Sequence, residues 1–319
     1  MKKKGIIVLL CLFLLSALLI TAACSSETTS TPTPTISAQT NYPVVVVDLL
    51  GRSVQISQLP TRIVTTSPTA TETLYKVGGT AVGRDSSSKY PGEVLDLPTV
   101  GSAYTINTEA IAGLNPDLII IEALTQESAI SSLEKIGVPI IAVRAASLAD
   151  IDQSLALLGN ITDRDEAATQ AVADIQSEIA TAQGNTTGGK SVLILIADPN
   201  GGINAAKPDT YPGTIAALIK LSNLATGLPD NGYYPGFTLF TAEQALTSNP
   251  DVVFTISPGP ASAPRLSAML PQIPGFNQMN AVKAGRVVEL DPVLFLQAQG
   301  PRIADAVEEM LRLMNEVAS

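Results

Sequence analysis

Apolar positions along the chain alternate between short β-branched runs and stretches with helical spacing. Val44-Val45-Val46-Val47 reads as a first strand, and Leu50-Gly51-Arg52 turns into Val54-Gln55-Ile56. Arg62 to Thr66 is a second buried run that breaks at Ser67-Pro68, ahead of a helix from Thr69 to Val77 closed by Gly78-Gly79. Ala81-Val82-Gly83, Leu118 to Ile121 and Ile140 to Val143 are further strands, with helices over Glu109 to Leu114 and Ser128 to Ile136 between them. Strand and helix alternating across short turns predict a parallel α/β sheet, here a lobe over residues 41–147.

From Leu148 to about Ala182 the spacing becomes helical throughout. Ile151, Leu155, Leu158, Ile161, Ala168, Val172, Ile175 and Ile179 fall near a 3.6-residue period. This predicts one long connecting helix over residues 148–183, with Gly159-Asn160 and Thr162-Asp163 as places for a kink. The alternation then resumes, giving a second α/β lobe over residues 184–319. Ser191 to Ala197, Asp251 to Ile256 and Arg286 to Leu290 read as strands, Gly213 to Ala225 and Pro301 to Val317 as helices. The predicted fold class is thus α/β, two Rossmann-like lobes with parallel sheets joined by a single long α-helix.

The N-terminus has a different pattern. Lys2, Lys3 and Lys4 precede a nearly unbroken apolar run from Gly5 to Ile20, and the small residues Thr21-Ala22-Ala23 precede Cys24. That layout is a secretory signal over residues 1–23. It resembles a bacterial lipoprotein signal, although Thr21 stands where the lipobox usually carries leucine; lipidation of Cys24 is the implied modification. Residues 24–40, rich in Ser, Thr and Pro, cannot bury apolar surface and read as a flexible tether. The expected location is outside the cytoplasm, anchored to the cell membrane through Cys24.

Charge and composition remove several functions. The 319 residues carry 19 basic and 29 acidic side chains, a net charge of −10, with no histidine and no tryptophan. So acidic a chain does not hold a phosphate backbone, which argues against nucleic acid as a partner. Without histidine there is no Ser-His-Asp or Cys-His catalysis and no His-ligated metal. No Gly-x-Gly-x-x-Gly follows the first strand, so no enzyme activity and no cofactor are expected.

An internal echo carries more information. Glu109-Ala110-Ile111-Ala112-Gly113-Leu114-Asn115-Pro116-Asp117 and Glu243-Gln244-Ala245-Leu246-Thr247-Ser248-Asn249-Pro250-Asp251 share a glutamate, a short helix and Asn-Pro-Asp before a strand. Asn107 and Thr241 stand two residues before their glutamates, where an N-cap belongs. First-turn glutamates offset the helix dipole by about 0.3–1 kcal/mol. Their duplication suggests more, a two-point anionic clamp for a partner that presents arginines.

With these motifs the chain resembles the periplasmic binding proteins that serve ABC importers of iron chelates, haem and cobalamin. The resemblance rests on Pro60-Thr61-Arg62-Ile63-Val64, Ser67-Pro68-Thr69-Ala70-Thr71-Glu72, Lys89-Tyr90-Pro91, Leu97-Pro98-Thr99-Val100-Gly101, Leu114-Asn115-Pro116-Asp117, Gly137-Val138-Pro139 and Gly300-Pro301-Arg302, in that order. It implies a monomeric carrier that delivers a siderophore, haem or corrinoid to a permease dimer with its cytoplasmic ATPase. Glu109 and Glu243 match the family's permease-docking glutamates. The alternative is a surface-anchored chelate scavenger or sensor without a transporter. Glu72, within a helix, reads as structural, and Arg302 suits either an anionic ligand or a structural pair.

In open α/β sheets, ligands lie beyond the carboxyl ends of the strands. The loops there supply Ser67, Thr69, Ser87, Tyr90, Tyr104, Glu122, Asn204, Tyr211, Tyr233, Tyr234, Phe237 and Phe295 as candidate ligand contacts. Aromatic walls with polar tips suit a flat macrocycle or aryl chelate. The haem branch places an axial tyrosine directly after the Val-Gly pair, but Ser102 follows Gly101 here, and Tyr104 lies nearer to where the cobalamin branch has an aromatic. The three ligand classes remain open at this point.

Overall fold

The computed structural model describes residues 42–186, 189–198, 201–232, 236–260 and 262–318. Strands β1 (Val44–Val47) and β2 (Ser53–Ile56) pair as an antiparallel hairpin of their own. Val46 and Ile56 point inward, while Val45 and Val47 remain exposed.

The first lobe then runs β3 (Ile63–Thr65), α1 (Pro68–Lys76), β4 (Ala81–Gly83), β5 (Gly101–Ser102), β6 (Thr105–Ile106), α2 (Thr108–Gly113), β7 (Leu118–Glu122), α3 (Ala123–Gln126), α4 (Ile130–Leu133) and β8 (Ile140–Val143). Its four-stranded sheet is wholly parallel, in the order β4-β3-β7-β8. Every residue of β7 is buried, as the centre of a sheet covered on both faces requires. Ser67 and Asn107 cap α1 and α2 by accepting the Ala70 and Ala110 amides.

The stretch expected to be one long helix is two, α5 (Leu148–Ile161) and α6 (Asp165–Gly184). The break is a tight reversal. The Thr162 hydroxyl donates back to the Leu158 carbonyl at 2.6 Å, Asp163 adopts φ 56°, and the Arg164 amide returns to the Gly159 carbonyl at 2.8 Å. Gln176 of α6 then reaches Asp152 of α5 at 2.9 Å, so the helices run side by side as an antiparallel hairpin. Both keep the same apolar period, which is why the pattern alone did not separate them. The 20 residues of α6 lead to the second lobe, spanning about 30 Å at 1.5 Å per residue.

The second lobe comprises β9 (Ser191–Ala197), β10 (Ile203–Ala206), α7 (Tyr211–Leu218), β11 (Ser222–Asn223), β12 (Phe237–Leu239), α8 (Ala242–Thr247), β13 (Val252–Ile256), α9 (Leu266–Met269), α10 (Asn280–Lys283), β14 (Val287–Leu290) and α11 (Ile303–Ala318). Strands β9, β13 and β14 are parallel, as expected from the sequence. The sheet continues from β9 into the antiparallel β10 and β12, which lie in segments read as loops. The helix expected to reach Ala225 stops at Leu218. Lys220 turns left-handed at φ 59°, and Ser222-Asn223 joins β9 in parallel.

Among the described residues, three clusters make the core. One lies on the far side of the first sheet, around Ile119, Ile121 and Ile111, and one on the corresponding side of the second, around Leu193, Val253 and Ala245. The third is continuous through both lobes: Ile120 and Val143 of the first sheet, Ile175 and Ile179 of α6, and Ile194 and Phe254 of the second. The connecting helix is therefore part of a shared core.

Candidate functional site

The carboxyl ends of β3, β4 and β7 are tied together by two buried polar networks. In one, the Gln126 amide nitrogen donates to the carbonyls of Thr66 and Ala103, both at 2.8 Å. Its oxygen accepts the Thr66 hydroxyl at 2.7 Å and the Glu122 amide at 3.0 Å. All of its strong hydrogen-bonding capacity is used, which a buried amide requires. Gln126 thereby fixes the β5–β6 hairpin, whose tip carries Tyr104 at 86% exposure. Gly101 makes the hairpin possible. At φ +100°, a Cβ there would sit 2.2 Å from the Thr105 carbonyl oxygen.

The second network centres on Thr71. Its hydroxyl meets those of Thr65 at 2.7 Å and Ser88 at 2.9 Å, and Ser88 donates to the buried Asp85 carboxylate. Asp85 also accepts the Ser87 amide at 2.7 Å. This anchors the loop after β4, which ends in the half-exposed Tyr90.

At the lobe boundary, the Arg302 guanidinium of the second lobe donates twice to Glu72 of α1, at 2.8 and 2.7 Å. The same guanidinium lies over the Tyr90 ring, 4.7 Å from its centroid. Glu72 has 2% of its side chain exposed and Arg302 18%. Burial raises the Glu72 carboxyl above its ordinary range despite the opposing pull of Arg302. At Arg302, burial works against the charge, but its bonds to Glu72 prevail and hold the pKa above normal. A cavity of about 320 Å³ opens beside this pair, between Tyr75 and Tyr90 of the first lobe, Glu178 of α6, and Arg302 and Asp305 of the second.

The structure corrects several expected contacts. Tyr211, the first residue of α7, and Phe295, in the turn after β14, are 1% and 0% exposed and pack into the shared core. Burial raises the Tyr211 phenol above its ordinary range. Their flanks read as loop, but each side chain turns inward and offers no exposed surface in this structure. Ser67, Thr69 and Asn204 are buried as well. Ser67 is spent on its cap, the Thr69 carbonyl accepts the Thr73 hydroxyl, and Asn204 bonds Asn231 at 2.7 Å. Glu122, also buried, caps α3 by accepting the Leu124 and Thr125 amides. Ser87 is half-buried, and Phe237 packs partly against the core. Tyr233, Tyr234 and Cys24 lie outside the described residues.

Arg302, left open between two roles in the sequence, is engaged by Glu72 and Tyr90. Gln126 was not foreseen. Its partners lie up to 60 residues away, and no local pattern marks it. Among the described residues, no group of three or more acidic or cysteine side chains is arranged to hold a metal ion. No helix among them is long and apolar enough to cross a membrane.

Glu109 and Glu243 are both exposed, each at the second position of a short helix. Ile111 of α2 and Ala245 of α8 pack on the sheet faces opposite the shared core. The two glutamates thus occupy equivalent places on the two lobes.

Residues 63–294 match the family described as periplasmic binding protein. An uncharacterized ABC transporter substrate-binding lipoprotein of Bacillus subtilis is 28% identical over 84% of this chain and 84% of its own length. A cobalamin-binding protein of Halobacterium salinarum is 25% identical over 86% of this chain and 74% of its own. Among solved structures, an ABC transporter substrate-binding protein from Listeria monocytogenes superposes with a TM-score of 0.69 at 25% identity, covering 80% of this chain and 98% of that one.

Proposed function

Because the chain belongs to the periplasmic binding protein family, we propose that it is the substrate-binding component of an ABC importer and carries a preformed metal chelate in the inter-lobe cleft. The observation that carries this reading is the matched pair of exposed glutamates, Glu109 and Glu243, on equivalent helices of the two lobes. Two carboxylates held apart by a shared core form a rigid gauge for two arginine-bearing permease subunits, since Arg pairs with carboxylate through charge-assisted, often bidentate bonds. Cys24, once lipidated, tethers the carrier to the membrane beside that permease through residues 25–40.

The chemistry of the cleft favours a ligand whose metal arrives fully coordinated. Its exposed groups include Tyr90, Tyr104, Leu124 and Leu239, surfaces for an organic ring, and the chain contains no histidine. A corrinoid fits best: like haem it brings its own equatorial ligands, and several curated relatives are named for cobalamin or vitamin B12. Haem is the second reading, as the other flat macrocycle that the exposed rings of Tyr90 and Tyr104 suit.

Uptake in a host lacking its own carrier tests the first part. Glu109→Arg with Glu243→Arg is expected to abolish transport while ligand binding and folding persist; transport that continues refutes docking through these residues. Titration with cyanocobalamin, cobinamide, haemin and a ferric siderophore, followed by absorbance, tests the second. Tight binding of the siderophore alone would overturn the macrocycle reading.

A further inference from the structure

The Glu72–Arg302 pair is an expensive way to join two lobes. A nearly buried carboxylate is desolvated whether or not it is paired, and an apolar contact between α1 and α11 would serve stability as well. What the pair adds is a fixed direction. A bidentate fork holds the guanidinium in one plane, and that plane lies over Tyr90, a ring on the other lobe that is otherwise half exposed.

Tyr90 is clamped from both sides of the cleft by one turn of α1. Thr71 holds the base of its loop through Ser88. The next residue, Glu72, holds Arg302, which covers the ring from the second lobe. Any separation of the lobes must draw Arg302 away from Glu72, from Tyr90, or from both.

We propose that Arg302 is a positioning residue for ligand capture, locked by Glu72 across the lobe boundary so that it presents Tyr90 as a fixed wall of the cleft. The state of the cleft and the orientation of its tyrosine are thereby one variable. The proposal rests on the reading of the cleft as the ligand site, but the coupling of Glu72 to Tyr90 exists with or without a ligand.

The test uses the mature chain labelled with 3-fluorotyrosine, the Tyr90 fluorine signal being assigned by its loss in Tyr90→Phe. Glu72→Gln, which leaves Arg302 and Tyr90 themselves unsubstituted, is expected to shift and broaden that signal. Affinity for the cyanocobalamin or haemin probe is expected to weaken about 10-fold. Arg302→Lys keeps the charge but loses the planar fork, and it should fail to restore either property. Glu72→Gln with Arg302→Gln, which leaves no unpaired charge, guards against misfolding; this variant, folded by thermal unfolding, should show the same loosened Tyr90. An unchanged Tyr90 signal in Glu72→Gln overturns the proposal. If neither probe binds the unsubstituted protein, the macrocycle reading fails, and the fluorine signal still decides the coupling.

Discussion

The Asp251 carboxylate accepts both the amide of Ser191, at 2.8 Å, and its hydroxyl, at 2.9 Å. In the first lobe Asp117 does the same for Thr61, at 2.8 and 2.9 Å. The aspartate of each Asn-Pro-Asp motif thus fastens the start of its own strand to the start of the neighbouring one, β13 to β9 and β7 to β3. The Ser191 amide and hydroxyl, against the opposing effect of burial, hold the Asp251 carboxyl below its ordinary value of 3.8. A carboxyl depressed in the folded state stabilises above its unfolded pKa, and this is lost as pH falls through the folded one. Asp251→Asn keeps one acceptor oxygen and is expected to cost about 1 kcal/mol near neutral pH. The gap between variant and parent should close on acidification below the ordinary value of 3.8. Urea unfolding across pH measures it; a gap that persists in acid refutes the role of the charge.

Glu72 titrates in the opposite sense. Burial raises its folded pKa above 4.5, so its contribution is present below the unfolded pKa and is lost as pH rises through the folded one. Removing Arg302 takes away the two influences that lower this pKa, leaving a carboxyl almost without solvent. Arg302→Met is therefore expected to cost about 3 kcal/mol above neutral pH and distinctly less near about pH 5. Glu72→Gln with Arg302→Met should recover most of the loss and show no such dependence. Equal losses at both pH values in the single variant would contradict this.

The elements that follow local rules were legible before any coordinates. β7 is a continuous apolar run, α2 and α8 announce themselves by Asn107 and Thr241, and Ser67-Pro68 starts α1 where a cap and an N1 proline belong. What escaped depends on contacts distant in sequence. Ile203-Asn204-Ala205-Ala206 has little β character of its own and is a strand because β9 and β12 flank it. Tyr211 and Phe295 share the composition of loop aromatics, and only the packing of α7 and α11 against the second sheet shows that they are core. The cleft was legible as a set of loops, not as the networks of Gln126 and Thr71 that hold them.

The turn between α5 and α6 depends on one missing side chain. A Cβ on Gly159 would lie 2.5 Å from the Ala168 Cβ and 3.1 Å from the Arg164 carbonyl oxygen. Gly159→Ala must push the helices apart, and the strain is expected to outweigh the gain in helix propensity, for a net loss of about 1–2 kcal/mol. Gly184→Ala, where nothing lies within 4 Å, should be neutral or stabilising. Thermal unfolding of the pair checks both; a stabilised Gly159→Ala would show that the close approach carries no weight.

Gln126 is the point at which the loops of the first lobe fail together. Gln126→Leu fills a similar volume but takes the side-chain partner from the Glu122 amide and from the Thr66 and Ala103 carbonyls. The expected cost is about 2–3 kcal/mol. Hydrogen exchange should quicken at residues 102–105, the hairpin bearing Tyr104, while the β13–β14 ladder keeps its protection. If exchange in that hairpin is unchanged, Gln126 does not hold it.

The shared core sets how the molecule comes apart. Two lobes with separate interiors would unfold in two steps, each at its own midpoint. Here Ile175 and Ile179 of α6 belong to the same apolar cluster as Ile120 in one sheet and Phe254 in the other, so melting either lobe exposes surface that the remaining lobe needs covered. Ile175 is fully buried, and Ile175→Ala is expected to cost about 2–5 kcal/mol through lost burial and a residual cavity. That loss should move a single transition to lower urea. Far-ultraviolet dichroism and tyrosine fluorescence should report the same midpoint before and after the substitution. Two resolved transitions in the parent would mean the lobes are independent, and the rigid spacing of Glu109 and Glu243 would then lose its physical basis.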